Sequence, residues 1–167
     1  GPVQRLYVLV RGGNTMTWFD VRGDGSLDCG AIDERGYCNA DHAAGAGQLP
    51  ADPSSISVDE RRGYIVVTHQ SFDDNAPRAS LFYDPNAPVP QARLSGQSTS
   101  PFLVNVVAGL PPGLSGLALL PRASEASRST WLATSRSDAT FTTLQAYPGN
   151  DTDNRLCLYR ASTTTVT

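Results

Sequence analysis

Residues Pro53 to Asp84 read PSSISVDERRGYIVVTHQSFDDNAPRASLFYD, and this stretch decides the fold. Ile56 and Val58 alternate with Ser55, Ser57 and Asp59, the two-residue period of a half-buried strand. Asp59-Glu60-Arg61-Arg62-Gly63 supplies charge and a glycine, which predicts a tight exposed turn. Tyr64-Ile65-Val66-Val67-Thr68 is aromatic and β-branched without a polar break, as in a strand covered on both faces. The run is too short for a buried helix, and Gly63 stands directly before it. Beyond the polar loop Asp73-Asp74-Asn75, Leu81-Phe82-Tyr83 forms a third strand. Asp84-Pro85-Asn86 stops it, because proline has no amide hydrogen for a ladder. Three short strands joined by polar turns predict an antiparallel meander.

Working outward, the same order recurs on both sides. Upstream, Arg5 to Val10 matches the buried strand, Arg11-Gly12-Gly13-Asn14 is a turn, and Met16 to Val21 matches the strand ending at Asp84. Ser26 to Cys29 opens a further short strand, and a loop rich in glycine, alanine and acid runs from Gly30 to Gly47. Downstream, Phe102 to Val107 completes the central unit. A third unit then follows: Leu114 to Pro121, Thr130 to Thr134, Phe141 to Tyr147 and Arg155 to Arg160, with a Thr-rich tail. The units span residues 3–47 (truncated), 48–112 and 113–167, all in a single all-β domain. Aligning the buried strands pairs Tyr7, Ile65 and Trp131, which lie 58 and 66 residues apart. Four-stranded propeller blades repeat at about 40–50 residues, and the long loops take up the excess.

RLYVLVRGGNTMTWFDV (Arg5 to Val21) and PSSISVDERRGYIVVTH with ASLFYD resemble bacterial YVTN-type β-propeller repeats: a proline-led strand, a charged turn, an aromatic-Val-Thr strand, then a strand ending in Asp. The third unit departs most, with Trp131-Leu132-Ala133-Thr134 at the aromatic-Val-Thr core and Ala146-Tyr147 in place of the terminal Asp. The resemblance implies antiparallel four-stranded meander sheets arranged as blades of a partial or assembled propeller. Closed propellers have about four to eight blades, more than this chain carries. The solutions left open are a piece of a longer chain, copies that complete a ring, or closure as a sandwich or small barrel.

The composition suits such a loop-rich β domain. Of 167 residues, 40% are hydrophobic and only 17% charged, with 15 Gly and 12 Pro, whereas long amphipathic helices bring more Glu, Lys and Leu. A net charge of −3 without any basic block argues against nucleic acid, whose phosphates need clustered cations. All 13 basic residues are arginine, a pattern read first as codon bias in a GC-rich genome. No apolar stretch reaches the length of a membrane span. Gly1-Pro2 reads as a cleavage scar, so the lack of a visible targeting segment says nothing about location.

Candidate chemistry is sparse. Cys29 and Cys38 enclose CGAIDERGYC, read first as a disulfide, which places the chain in an oxidising compartment: periplasm, cell surface or extracellular space. The alternative adds Asp41 and His42 as a metal site, without the close cysteine pair of structural zinc sites. Cys157, between Leu156 and Leu158, reads as a buried thiol or as the half of a bond to a partner. Asp73, Asp74 and Asn75, and Asp151 and Asp153 with Asn150 and Asn154, form two oxygen-rich loops able to ligate Ca²⁺. Neither has the glycine and distal glutamate of an EF-hand, and solvated turns are the plainer account. Asn150-Asp151-Thr152 fits the N-glycosylation pattern, which matters only in a eukaryotic secretory host. His69 follows the buried strand without a nucleophile motif. Ser115, in Gly113-Leu114-Ser115-Gly116-Leu117, lacks the last glycine of a nucleophile elbow and reads as a turn. Phosphate loops, HExxH and dinucleotide fingerprints are missing.

The first functional expectation is a non-enzymatic propeller scaffold of an exported bacterial protein, binding a protein partner or further blades of the same or another chain. The alternatives are a metal-dependent, lactonase- or hydrolase-like propeller, and a structural subunit that self-assembles as a homo-oligomer.

Overall fold

The computed structural model describes residues 4–11, 14–32, 34–35, 43–44, 49–73, 75–89, 100–124, 128–147 and 156–165. Among these residues there is no α-helix, and twelve strands form three antiparallel sheets that do not close into a barrel. The first sheet pairs β1 (Gln4–Val10) with β2 (Thr15–Val21). Two short strands, β3 (Leu27–Asp28) and β4 (Ala43–Ala44), pair with opposite ends of β2. The second is a meander of β5 (Pro53–Asp59), β6 (Tyr64–His69), β7 (Ala79–Tyr83) and β8 (Phe102–Val107). The third repeats that order with β9 (Leu114–Leu119), β10 (Ser129–Ser135), β11 (Thr140–Tyr147) and β12 (Cys157–Thr165).

The second sheet is the middle layer. Successive side chains of a strand point to opposite faces, so Ile65 and Val67 face the first sheet while Tyr64 and Val66 face the third. One core packs Met16, Trp18, Ile65, Val67 and Phe82 together, with Tyr7, Leu9 and Val58 at its margin. The other packs Tyr64, Leu81, Tyr83, Leu114, Trp131 and Leu144. Every residue of β6 and β7 is buried, which is why the run from Tyr64 lacks polar alternation. Tyr83 links two rings across the middle sheet, 6.3 Å from Tyr64 and 5.8 Å from Phe102 between centroids.

Polar groups clasp the second and third sheets at both sides. Ser54 Oγ donates to the Leu114 carbonyl at 2.7 Å and Ser55 Oγ to that of Ser115, which sets β5 beside β9. At the far side the Asn105 amide brackets Leu158 in β12, accepting from its N–H at 2.9 Å and donating to its carbonyl at 3.0 Å.

Tyr7, Ile65 and Trp131 fall in three different sheets, yet they are not equivalent in facing. Tyr7 and Ile65 meet across the same interface, whereas Tyr64 looks toward the third sheet as Tyr7 looks toward the second. The correct partner of Tyr7 is thus Tyr64, one residue earlier, and a one-residue slip reverses a strand's faces. Nor is β1 a buried strand. Leu6, Val8 and Val10 are 46, 39 and 40% exposed, because they lie on the face of the first sheet turned away from the second, which no described sheet covers.

Three further readings change. Asp59, expected in an exposed turn, is only 3% exposed. The Gly30–Gly47 loop contributes the strand β4. The Thr-rich tail extends β12 to Thr165, β-branched threonine suiting a pleated ladder.

The turn after Asp59 depends on Gly63. Gly63 has φ +71°, its N–H donates to the Asp59 carbonyl at 2.9 Å, and a Cβ would stand 2.2 Å from the Asp84 carbonyl oxygen. Gly25 has φ +82° with open space around it. Gly25→Ala should therefore cost about 1 kcal/mol, the left-handed penalty alone. Gly63→Ala should cost about 3 kcal/mol or more, since backbone must also move. Urea unfolding of the two variants tests this, and equal losses would remove the steric role assigned to Gly63.

Candidate functional site

A cavity of about 490 Å³ lies at one end of the interface between the first and second sheets. Arg5, Tyr7 and Val21 line it from the first sheet, Val58 and Glu60 from the end of β5, and Asp84 and Asn86 from the segment after β7. Arg5 and Tyr7 are two residues apart on β1, so strand geometry puts both on the face turned to the second sheet. Asp84 is delivered by the stop: β7 ends at Tyr83, Pro85 prevents further pairing, and the Asp84 N–H donates to the Gly63 carbonyl at 2.7 Å.

The Asp84 carboxylate organises the site. Arg5 Nη1 donates to its Oδ1 and Oδ2 at 2.8 and 2.9 Å, and the Tyr7 hydroxyl donates to Oδ2. The Asn86 backbone N–H and side-chain amide donate to Oδ1 at 2.9 and 3.1 Å. Arg5 Nε donates to Asp20 Oδ1 at 2.7 Å, and its guanidinium lies 5.8 Å from the Trp18 ring centre. The side chains of Arg5 and Asp84 are only 9 and 6% exposed, so the pair is shielded from solvent.

Burial, then the bond to Asp84, pushes the Tyr7 hydroxyl well above the usual tyrosine range. Burial pulls Arg5 down, but its bond to Asp20 and the charge of Asp84 outweigh that, and the net shift is upward. Both groups keep their protons at any physiological pH. The cluster therefore offers hydrogen bonds and fixed charge rather than a proton-transfer group poised near neutrality.

A second carboxylate acts at the other interface. Asp59 Oδ2 accepts from Ser129 Oγ at 2.5 Å and lies 3.3 Å from Arg122 Nη1, a charge pair without hydrogen-bond alignment. The nearby Tyr64 hydroxyl is buried without a hydrogen bond, and burial pushes it up to about 12. The middle sheet thus gives Asp84 to one neighbour and Asp59 to the other.

His69 is fully buried, its Nε2 2.8 Å from Ser80 Oγ. Burial pulls the imidazole down to about 4, against a smaller opposing pull from the Ala51 and Pro50 carbonyls; Nδ1 makes no aligned hydrogen bond. It is a neutral core group. Arg78, 3% exposed, donates to the carbonyls of Leu110 and, at 3.0 Å, Asp73.

Of the candidate metal ligands, Asp73 forms a local turn, accepting the Asn75 N–H at 3.0 Å. Asp74, Asp151 and Asp153 lie outside the described residues, as do Cys38, Asp41 and His42. Among the described residues no three His, Cys, Asp or Glu side chains gather as a cation site. Cys29 is buried, and Cys157 is a half-buried thiol rather than a buried one. Ser115 sits inside β9, not in a turn: Gly113, with φ +66°, makes the turn before it. Sequence reasoning missed Arg5, Asp84, Asp59 and Arg78. The available signals were a charge inside an apolar strand and an Asp between a buried strand and a proline.

Comparison with family models, with curated proteins and with solved structures gave no match.

Two measurements probe the polar core. Asp84→Asn leaves a buried guanidinium facing a neutral amide, so it should cost about 3 kcal/mol; a loss below 1 kcal/mol by urea unfolding would show that the clasp contributes little. For His69 the folded value lies below the unfolded one of about 6.5. Its contribution is complete above that pH and is lost as pH falls toward about 4, by about 3 kcal/mol in all. In a proton NMR titration the His69 ring should stay neutral down to about pH 5, and a midpoint near 6.5 would contradict its burial.

Proposed function

We propose that the chain is a non-enzymatic β-propeller-type scaffold or binding module of an exported bacterial protein. The observation that carries this reading is the succession of meander sheets packed face to face, with their first strands β5 and β9 side by side. The YVTN-like phrases agree with it, since Arg5-x-Tyr7 recurs as Arg62-x-Tyr64 and the strand-ending Asp84 takes the bonds of Arg5 and Tyr7. Charged groups in the interfaces are engaged in holding sheets together, and the cavity beside Asp84 offers donors and acceptors suited to a polar ligand. The Cys29–Cys38 disulfide and the export it implies belong to the same reading.

A self-assembling subunit is the second reading, favoured by the aliphatic side chains that β1 exposes. Native mass over a wide concentration range separates the two, with a strict monomer expected of the scaffold and concentration-dependent growth expected of the subunit. Metal analysis tests both against the hydrolase alternative: stoichiometric divalent metal, with lactone or ester turnover abolished by a chelator, would overturn the non-enzymatic reading. Peptide mapping without reductant should recover Cys29 joined to Cys38, and free thiols at both would remove the case for export.

A further inference from the structure

We propose that the edge of β1 left unpaired among the described residues is a docking site for one extended strand of a partner polypeptide, with aliphatic residues at alternate positions. This rests on the binding-module reading and names the class of partner. Its basis is an internal comparison. In the second and third sheets the strands that correspond to β1, namely β6 and β10, are each paired on both sides, by β5 and β7 and by β9 and β11. Among the described residues β1 has a partner on one side only. The first sheet is therefore, among the described residues, one inner strand short of its neighbours.

Natural edge strands are guarded by lysine, proline, bulges or inward-turned charge. Of these guards β1 carries one, the inward-turned Arg5, whose charge is already met by Asp20 and Asp84; it pairs with β2 over seven consecutive residues without a register shift and contains no proline. Such an edge is a template for an added strand, main-chain bonds giving affinity and alternate side chains giving specificity. The strands that fill this position elsewhere show the chemistry of the occupant. In β5, Ile56 and Val58 pack into the first interface, and in β9, Leu117 and Leu119 pack into the second.

The probe is the chain's own inner strand, a synthetic peptide of residues 51–60, ADPSSISVDE. Added to the full chain at up to millimolar concentration, it should slow amide hydrogen exchange across Gln4–Val10 at least tenfold and saturably, leaving β6 unchanged. Peptides N-methylated at Ser55, Ser57 and Asp59, or at Ser54, Ile56 and Val58, should differ: one set abolishes the protection and the other keeps it, because only one edge of the added strand faces β1. Lack of protection would overturn the proposal. So would equal protection by a scrambled peptide, which marks adsorption, or protection of β1 that grows with protein concentration alone, which marks a second copy as the occupant. None of these results bears on metal content or hydrolysis, so failure here leaves the scaffold reading to its own tests.

Discussion

The structure depends on burying one sheet from both sides. β6 and β7 form a layer without a solvent face, and each strand's two sets of side chains supply two separate cores. Removing either neighbour would expose a full face of Ile, Val, Leu and aromatic side chains at about 25 cal/mol per Å². The outer sheets are thus held chiefly by what they cover, and the polar contacts set how they lie rather than whether they bind.

Those contacts follow one plan. At the end of the stack where β5 and β7 finish, the middle sheet projects a carboxylate toward each neighbour, Asp84 to Arg5 and Tyr7, Asp59 to Ser129 and Arg122. A buried ion pair gives little net stability beside an apolar replacement, but it penalises every arrangement that separates the charges. His69 and Arg78 act within the middle sheet at its opposite end, His69 bonded to Ser80 and Arg78 to loop carbonyls.

The all-β meander was legible because its signals are local. Unbroken runs such as Tyr64 to Thr68, glycines at turns and Pro85 after Asp84 each act over a few residues. Facing is harder to read: aliphatic content aligns Tyr7 with Ile65, although Arg5-x-Tyr7 and Arg62-x-Tyr64 align as written, because it does not tell one face from the other in a strand buried on both. The site was barely legible. Asp59 looks like any turn acid until Ser129 and Arg122, remote in sequence, close over it, and Arg5 looks like a solvent-facing charge until Asp84 arrives from another sheet. The acids around Asp73 are dense in sequence, whereas the engaged carboxylates Asp59 and Asp84 are marked only by partners far along the chain.

The two ends of the stack differ in what they show to water. On the third sheet, Thr130, Gln145 and Tyr159 lie in register across β10, β11 and β12, with Gln145 bonded to Thr130 at 3.3 Å, Tyr159 to Gln145 at 2.8 Å and Arg128 to Tyr159 at 2.5 Å. That hydrogen-bonded belt gives the outward face of the third sheet a polar surface. The first sheet carries Leu6, Val8, Val10 and Leu27 where the belt would be. The two outer faces of the three-sheet stack are thus chemically unlike, one a hydrogen-bonded polar belt and the other aliphatic.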